Sequence, residues 1–586
     1  MTVGPARTVV ALLEKLHTAF SGFNTAFNEG QYVLWLGSGI SRDRVKNVAE
    51  LLTSVVEHLR VNIDIGDDDC EYRTALNEVL RLAALRREEL DTLDFSTTFT
   101  SWPLRERIVS TLITNYSQVL DVSVGDSNPD DYLVWTALDV PNTYGAPDLV
   151  PDVEHYCIAI LMLEGLVSSA VTANWDGLLE KALAELTPAF ESRVRVAVKP
   201  DDFRNAGPSI EIIKFHGCAV RARDNQGEYR QLLVARESQI SRWTEQPENR
   251  SMRKHLEVLY TDRLTLMLGL SAQDANLHTV FAGAIQDLAR PWPASPPPVV
   301  LSEEQLEAYH RNLLKITYGS SYQGNAAAIA QSALLGAYGK PTLLALVLAS
   351  LTEKLSFWVQ PEVQETWGDA AVQQLQDDLR SLRDLVAIHA DPAHPEAVES
   401  EERLGHQRAF AARIVDVVNL ALAVFRTGQI PAPRSGRYEP LSARPAAQAV
   451  LDPDFPARQF GRLGVALSLV GRGLASGQWS ASTGDSSLPQ DGVLRLATSE
   501  RNTRVFFVKD SAALTQLEVD GSFDAGDPDV LIVMADEEPP VQTRSPRGRF
   551  GRGGRPGAGR FSVASGVAGT ASPDELYEAF KLAGGL

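Results

Sequence analysis

Tyr32-Val33-Leu34-Trp35-Leu36-Gly37-Ser38-Gly39-Ile40-Ser41 decides the fold. Five consecutive apolar residues, too short a run for a helix and rich in strand formers, read as a buried strand. A glycine turn follows, and then a helical pattern near Val48 to Leu59. Strand, turn and helix in that order form the first unit of an open α/β sheet, in which ligands bind at the carboxyl ends of the strands. The arrangement recurs along the chain. Thr172-Ala173-Asn174-Trp175-Asp176 ends the strand-like run Ser168 to Thr172. Lys214-Phe215-His216-Gly217 ends Glu211 to Phe215, and Gly269-Leu270-Ser271 ends Leu264 to Gly269, while Arg193 to Val198 supplies a further strand. Helical patterns separate several of these runs. The expected fold is therefore α/β, a Rossmann-like parallel sheet with right-handed crossovers.

Working outward, Val9, Leu12, Leu13, Leu16, Phe20, Phe23 and Phe27 make one apolar stripe, predicting a single amphipathic helix that ends at Asn28-Glu29-Gly30. Residues 60–166 read as a helical insertion, with a solvated loop at Asp67-Asp68-Asp69 and an irregular stretch from Pro129 to Pro151. The proline-rich Pro291-Trp292-Pro293-Ala294-Ser295-Pro296-Pro297-Pro298 is the best linker, which ends the first domain at 290. A helical domain is expected over 299–430, with Leu343, Leu344, Leu346, Val347, Leu351, Leu355 and Val359 as its core face. After a second irregular stretch, Pro431 to Pro456, residues 457–586 read as a small C-terminal α/β domain. It has a helix near Phe460 to Leu474, strands at Val493 to Ala497, Arg504 to Val508 and Val530 to Met534, and a terminal helix near Pro573 to Leu582. Arg544, Arg547, Arg549, Arg552, Arg555 and Arg560 mark an Arg-Gly loop, 544–560, inserted in it.

The bulk numbers bound the class. A chain of 586 residues exceeds one core and predicts two to four domains. An apolar share of 44% with 22% charged residues is ordinary for a soluble protein. No apolar run is read as long enough to span a bilayer, and Met1 to Arg7 carries no secretory pattern, so a cytoplasmic protein without membrane contact is expected. Cys70, Cys157 and Cys218 are too few for a disulfide framework or a four-thiolate zinc site, and no metal is expected. The net charge of −20 repels nucleic acid. The Arg-Gly loop is the exception, either a weak nucleic-acid contact or a solvated loop. No Gly-x4-Gly-Lys-Ser/Thr loop for ATP is present.

The motifs carry chemistry beside plainer roles. Gly37-Ser38-Gly39 permits a tight turn and close approach to a pyrophosphate, or is a ligand-free turn; Arg42 stands where a dinucleotide fingerprint has its third glycine. Asp176 either caps the helix predicted from 176 to 183 or accepts hydrogen bonds from ribose and favours a developing oxocarbenium ion. Asn174 is a turn residue or orients the ribose or an attacking water. His216 at a strand end is a structural imidazole or a base near neutral pH. Cys218 reads as a small packed residue. Ser271 or Asp274 caps a helix, or Ser271 lies beside the adenosine ribose or phosphate.

Taken in order, these four segments resemble the sirtuin family over roughly residues 30–290: a glycine-turn NAD motif, a Thr-x-Asn-x-Asp motif, a His-Gly motif and a Gly-x-Ser segment. The resemblance implies NAD as substrate, with Asn174, Asp176 and His216 catalytic. It places Gly37, Ser38, Gly39, Ser41, Thr172, Gly269 and Ser271 against the dinucleotide. The family's four-cysteine zinc module is absent, and Arg42-Asp43-Arg44-Val45-Lys46-Asn47 replaces its Gly-x-Pro element. These departures are similar to the bacterial sirtuin-like NAD hydrolases of antiphage defence. That implies cleavage to nicotinamide and ADP-ribose, a homo-oligomer, and a HerA-type ring ATPase or Argonaute-type partner. The alternatives are an NAD-dependent protein deacylase or ADP-ribosyltransferase, or a non-catalytic module that senses NAD or ADP-ribose.

Overall fold

The computed structural model describes the chain except for residues 1–7, 43, 65, 68, 205–206, 288–289, 391–437, 483–493, 520, 522–523 and 538–556. Two sheets organise it. The first comprises β1 (Tyr32–Leu36), β2 (Ser169–Thr172), β3 (Val194–Ala197), β4 (Ile210–Lys214), β5 (Leu264–Leu268) and β6 (Val299–Ser302), in the order β3-β4-β2-β1-β5-β6. Every neighbouring pair is parallel, as helical crossovers require. The apolar run that opened the sequence reading is the centre of this sheet. Its alternate residues serve two cores: Tyr32, Leu34 and Leu36 on one face, Val33 and Trp35 on the other. This is the Rossmann-like architecture the sequence predicts.

The edges of that prediction shift. The N-terminal stripe is two helices, Val9–His17 and Ser21–Asn28, broken at Thr18 to Phe20. The helix after β2 starts at Leu178 rather than Asp176. The insertion has its own core, built from Leu51 to Tyr144, but Ala219, Ala222, Leu233 and Ala235 from beyond β4 join it. Helix Val153–Leu163, read as part of the insertion, instead belongs to the core under the sheet.

The proline-rich segment does not end the first domain. Val299–Ser302 lies beyond it and pairs with β5, so the segment is a connection inside one sheet. Three apolar residues and a serine, all buried, have no period to distinguish strand from helix, and the adjacent prolines obscured them.

Helices Ala308–Tyr318, Ala326–Ala333, Gly339–Trp367 and Asp369–Ala390 follow; residues 391–430 of the expected helical domain lie outside the described residues. Gly339–Trp367 is long and apolar enough to cross a membrane by length and composition, which corrects the expectation that no run was. Within the protein, 89% of that window is buried. It packs on helices Val9–His17, Val153–Leu163, Asp369–Ala390 and Ala457–Ala475. One continuous apolar core therefore runs from the first sheet to the second. A buried ion pair fixes the join. Lys354 Nζ donates to Glu164 Oε2 (2.6 Å), Glu164 O (2.7 Å) and Ser442 O (2.7 Å), and Leu441 N–H and the Tyr438 hydroxyl donate to Glu164 Oε1.

The second sheet, β7 (Ser480–Ser482), β8 (Leu494–Ala497), β9 (Asn502–Val508), β10 (Val530–Met534) and β11 (Gly559–Ser562), runs in the order β11-β10-β9-β8-β7. It is parallel through β9, β10 and β11 and antiparallel from β9 to β7. Arg560, assigned to the Arg-Gly loop, sits in β11 and pairs with Glu518 at 3.1 Å. Arg544, Arg547, Arg549, Arg552 and Arg555 lie outside the described residues.

Candidate functional site

The four motifs leave β4, β2, β1 and β5, which are contiguous in the first sheet, at their carboxyl ends. The chain leaves β1 toward β2 on one side and leaves β5 toward β6 on the other, so the topological switch point of the parallel sheet, where such sheets bind ligands, lies between β1 and β5. There the two loops meet backbone to backbone. Gly37 N–H donates to Leu268 O and Gly39 N–H to Gly269 O, both at 3.0 Å. A Cβ on Gly37 would lie 2.3 Å from Gly269 O, and one on Gly39 2.6 Å from Gly269 Cα. Gly269 itself has φ +60°. Loop crossing therefore accounts for these three glycines by itself. Ser38 is exposed at the rim. Ser41 is fully buried: His155 takes the Asp152 N–H on Nδ1 (3.1 Å), so its Nε2–H donates to Ser41 Oγ (3.1 Å).

From β2, Thr172 Oγ1 accepts Asn174 N–H at 3.0 Å, and Asn174 Nδ2 donates to Gly37 O at 3.1 Å. The amide thus ties the second loop to the glycine turn, while its Oδ1 makes no hydrogen bond among the described residues. Asp176 is buried and accepts Leu178 N–H at 3.2 Å, a local turn contact; the N-cap of the helix is Gly177, not Asp176 as the sequence reading allowed. Lys214, fully buried in β4, donates to the Asp176 carbonyl and to Glu180 Oε1 (2.9 Å).

Thr172 and Lys214 are register partners on β2 and β4, so Asn174 and His216 stand two residues past the same level on neighbouring strands. His216 is buried against Phe215 (ring centroids 4.4 Å) and Trp243 (6.3 Å). Gly217, at φ +92°, turns the chain away where a Cβ would strike Leu232 O at 2.5 Å. His216 Nε2 lies 3.2 Å from Asp274 Oδ2, off the line of a hydrogen bond, and both atoms are buried with no other partner. Burial pushes the imidazole pKa below its ordinary 6.5, with Asp274 acting in the opposite sense, so His216 is neutral at pH 7. Burial, then the charges of Asp274 and Glu237, push the hydroxyl of Tyr116, in the insertion, up to about 12. Ser271 is exposed on the same loop.

Around the edge, Asp152 receives Lys340 Nζ at 3.1 Å and Arg44 at 3.3 Å. Glu303, just past β6, is raised to about 7 by burial, with Arg42 opposing. No group of three or more His, Cys, Asp or Glu able to hold a metal occurs among the described residues. All three cysteines are free and buried, Cys218 packed as expected.

The sequence reading therefore identified the loops and missed their supports. Asp274 was read only as a cap, and His155, Asp152, Lys340 and Tyr116 come from distant segments with no local motif. Lys214 had a signal that was not used: a lysine inside an apolar strand needs a buried partner.

No curated protein matches the chain. Residues 168–322, from β2 through β6 and helix Ala308–Tyr318, and so including Asn174, Asp176, His216 and Asp274, match the family model of the SIR2-like domain.

Proposed function

We propose that the carboxyl edge of the first sheet takes NAD and hydrolyses its nicotinamide–ribose bond. SIR2-like domains are NAD-utilising, and the match to 168–322 supports an NAD-related activity. The observation that carries the hydrolase reading is a neutral, buried His216 beside a carboxylate, one strand from an amide whose Oδ1 is unengaged. Water oxygen bonds to the anomeric carbon and its proton passes to His216. The C–N bond breaks with its electron pair going to the nicotinamide ring nitrogen, which loses its positive charge. The products are nicotinamide, ADP-ribose and one proton. Asn174 orients the water or the ribose through Oδ1. Asp176 lends negative potential to the cationic transition state, balanced in part by Lys214. Gly37, Ser38, Gly39, Ser41, Thr172, Gly269 and Ser271 stand on the dinucleotide side of this proposal.

A chain with three scattered cysteines lacks the four-thiolate module of protein-deacylating relatives, which favours water over an acyl-lysine as acceptor. NAD depletion in antiphage defence, homo-oligomer formation, and a HerA-type or Argonaute-type partner belong to the same proposal, supported by the sequence resemblance. The test is incubation of the full chain with NAD, alone and with the products of neighbouring genes. Nicotinamide and ADP-ribose should appear, and His216→Ala should abolish them. Full turnover by that variant, or NAD binding without nicotinamide release in every mixture, overturns the reading.

A further inference from the structure

We propose that Asp274 is a positioning residue for His216: its carboxylate holds Nε2–H of the imidazole, leaving Nδ1 as the proton acceptor. This rests on the hydrolase reading above. The geometry is specific to such a pair. Asp274 Oδ1 accepts Asn276 N–H at 2.8 Å, the contact its carboxylate makes with the following helix. Oδ2 is then superfluous for capping, yet it is buried 3.2 Å from His216 Nε2 with no other partner. The loop bearing the carboxylate is clamped at two carbonyls: His278 Nε2 engages Ala272 O at 2.8 Å and His310 Nε2 engages Leu270 O at 2.9 Å. Ala272 is held at φ +57°, a left-handed conformation that a non-glycine residue adopts only when its surroundings impose it.

The chemistry needs this carboxylate. When His216 Nδ1 takes the proton of the attacking water, the ring becomes a buried cation packed against Phe215 and Trp243. A buried cation without a counter-charge is costly. Among the described residues Asp274 is the charged group beside it, at 3.2 Å, and Tyr116 is a titratable group whose ionisation the Asp274 charge opposes. The imidazolium pairs with Oδ2 until Nδ1 releases its proton to solvent. A hydrogen bond that is misaligned without substrate and tightens with it is common for catalytic pairs.

Asp274→Asn keeps the cap and shape but removes the charge. With NAD, its kcat should fall about 100-fold with KM nearly unchanged, and the acidic limb of kcat/KM should move to lower pH. Asp274→Glu should restore part of kcat. A readout independent of turnover is the His216 titration followed by 13C-edited NMR of histidine-labelled full chain, with the signal identified by its loss in His216→Gln. Asp274→Asn should move that titration to lower pH while thermal melting still shows a folded protein. An unchanged titration, or wild-type kcat in Asp274→Asn, overturns the assignment. Failure of the wild-type chain to release nicotinamide would instead overturn the hydrolase reading and leave the titration result standing.

Discussion

Two buried pairs of ionisable side chains, each assembled from distant segments, are treated oppositely by this fold. At Lys354–Glu164 the ammonium has three acceptors and the carboxylate takes donors on both oxygens. At His216–Asp274 the facing atoms are 3.2 Å apart, misaligned and without other partners. Desolvation is offset only where every polar atom is met. The first pair therefore locks the helix Gly339–Trp367 to the end of helix Val153–Leu163 and to residues 441–442. The second retains unspent hydrogen-bonding capacity at the sheet edge where ligands bind. A buried pair of ionisable groups is thus diagnosed by the saturation of its contacts rather than by its separation.

The largest effect is expected at the saturated pair: Lys354→Met strands the Glu164 carboxylate and should cost about 3–5 kcal/mol in denaturant unfolding. If stability is unchanged, the pair is not a lock. At the unsaturated pair the loss should fall on chemistry: His216→Ala should reduce turnover about 100-fold or more while shifting melting less than Lys354→Met does. Between these regions, Gly39→Ala forces a methyl into the Gly269 backbone and should destabilise by about 1–3 kcal/mol, read as a lower melting temperature. Acid should act through His216 with a definite sign. Its folded pKa is depressed by burial, so its contribution to stability is full above the ordinary value of 6.5 and is lost as pH falls through the folded value. Melting temperature should drop on acidification, and less so in His216→Gln; an identical pH dependence in that variant would exclude His216 as a source. The smallest effect is expected at the surface pair: Arg560→Ala, which parts from Glu518, should change stability by about 1 kcal/mol or less.

Much of the first sheet was legible because its strands are short apolar runs ending in Gly, Asn or His, and its four motif loops emerge from neighbouring strands. The exceptions have local causes. β6 hid behind prolines, the N-terminal stripe concealed a break at Thr18, and residues 219–235 joined the insertion core from outside it. At the site, Asn174 and His216 were visible because each closes a strand. Asp274 was visible only as a cap, since a carboxylate's second oxygen has no signature in sequence. The glycine turn was legible as a place of close approach, but what approaches it is the loop after β5.

By itself the sequence determined the period and length of the buried strands, and with them a parallel α/β sheet whose chemical groups lie at one edge. That information is local, because strand formation and turns depend on residues a few positions apart. The tertiary structure alone decided which distant groups meet: Asp274 with His216, Lys354 with Glu164, and the Gly269 loop with Gly37 and Gly39. It also decided that one core spans both sheets. Those outcomes depend on packing and on the desolvation of polar atoms, which exist only once segments far apart in the chain have come together.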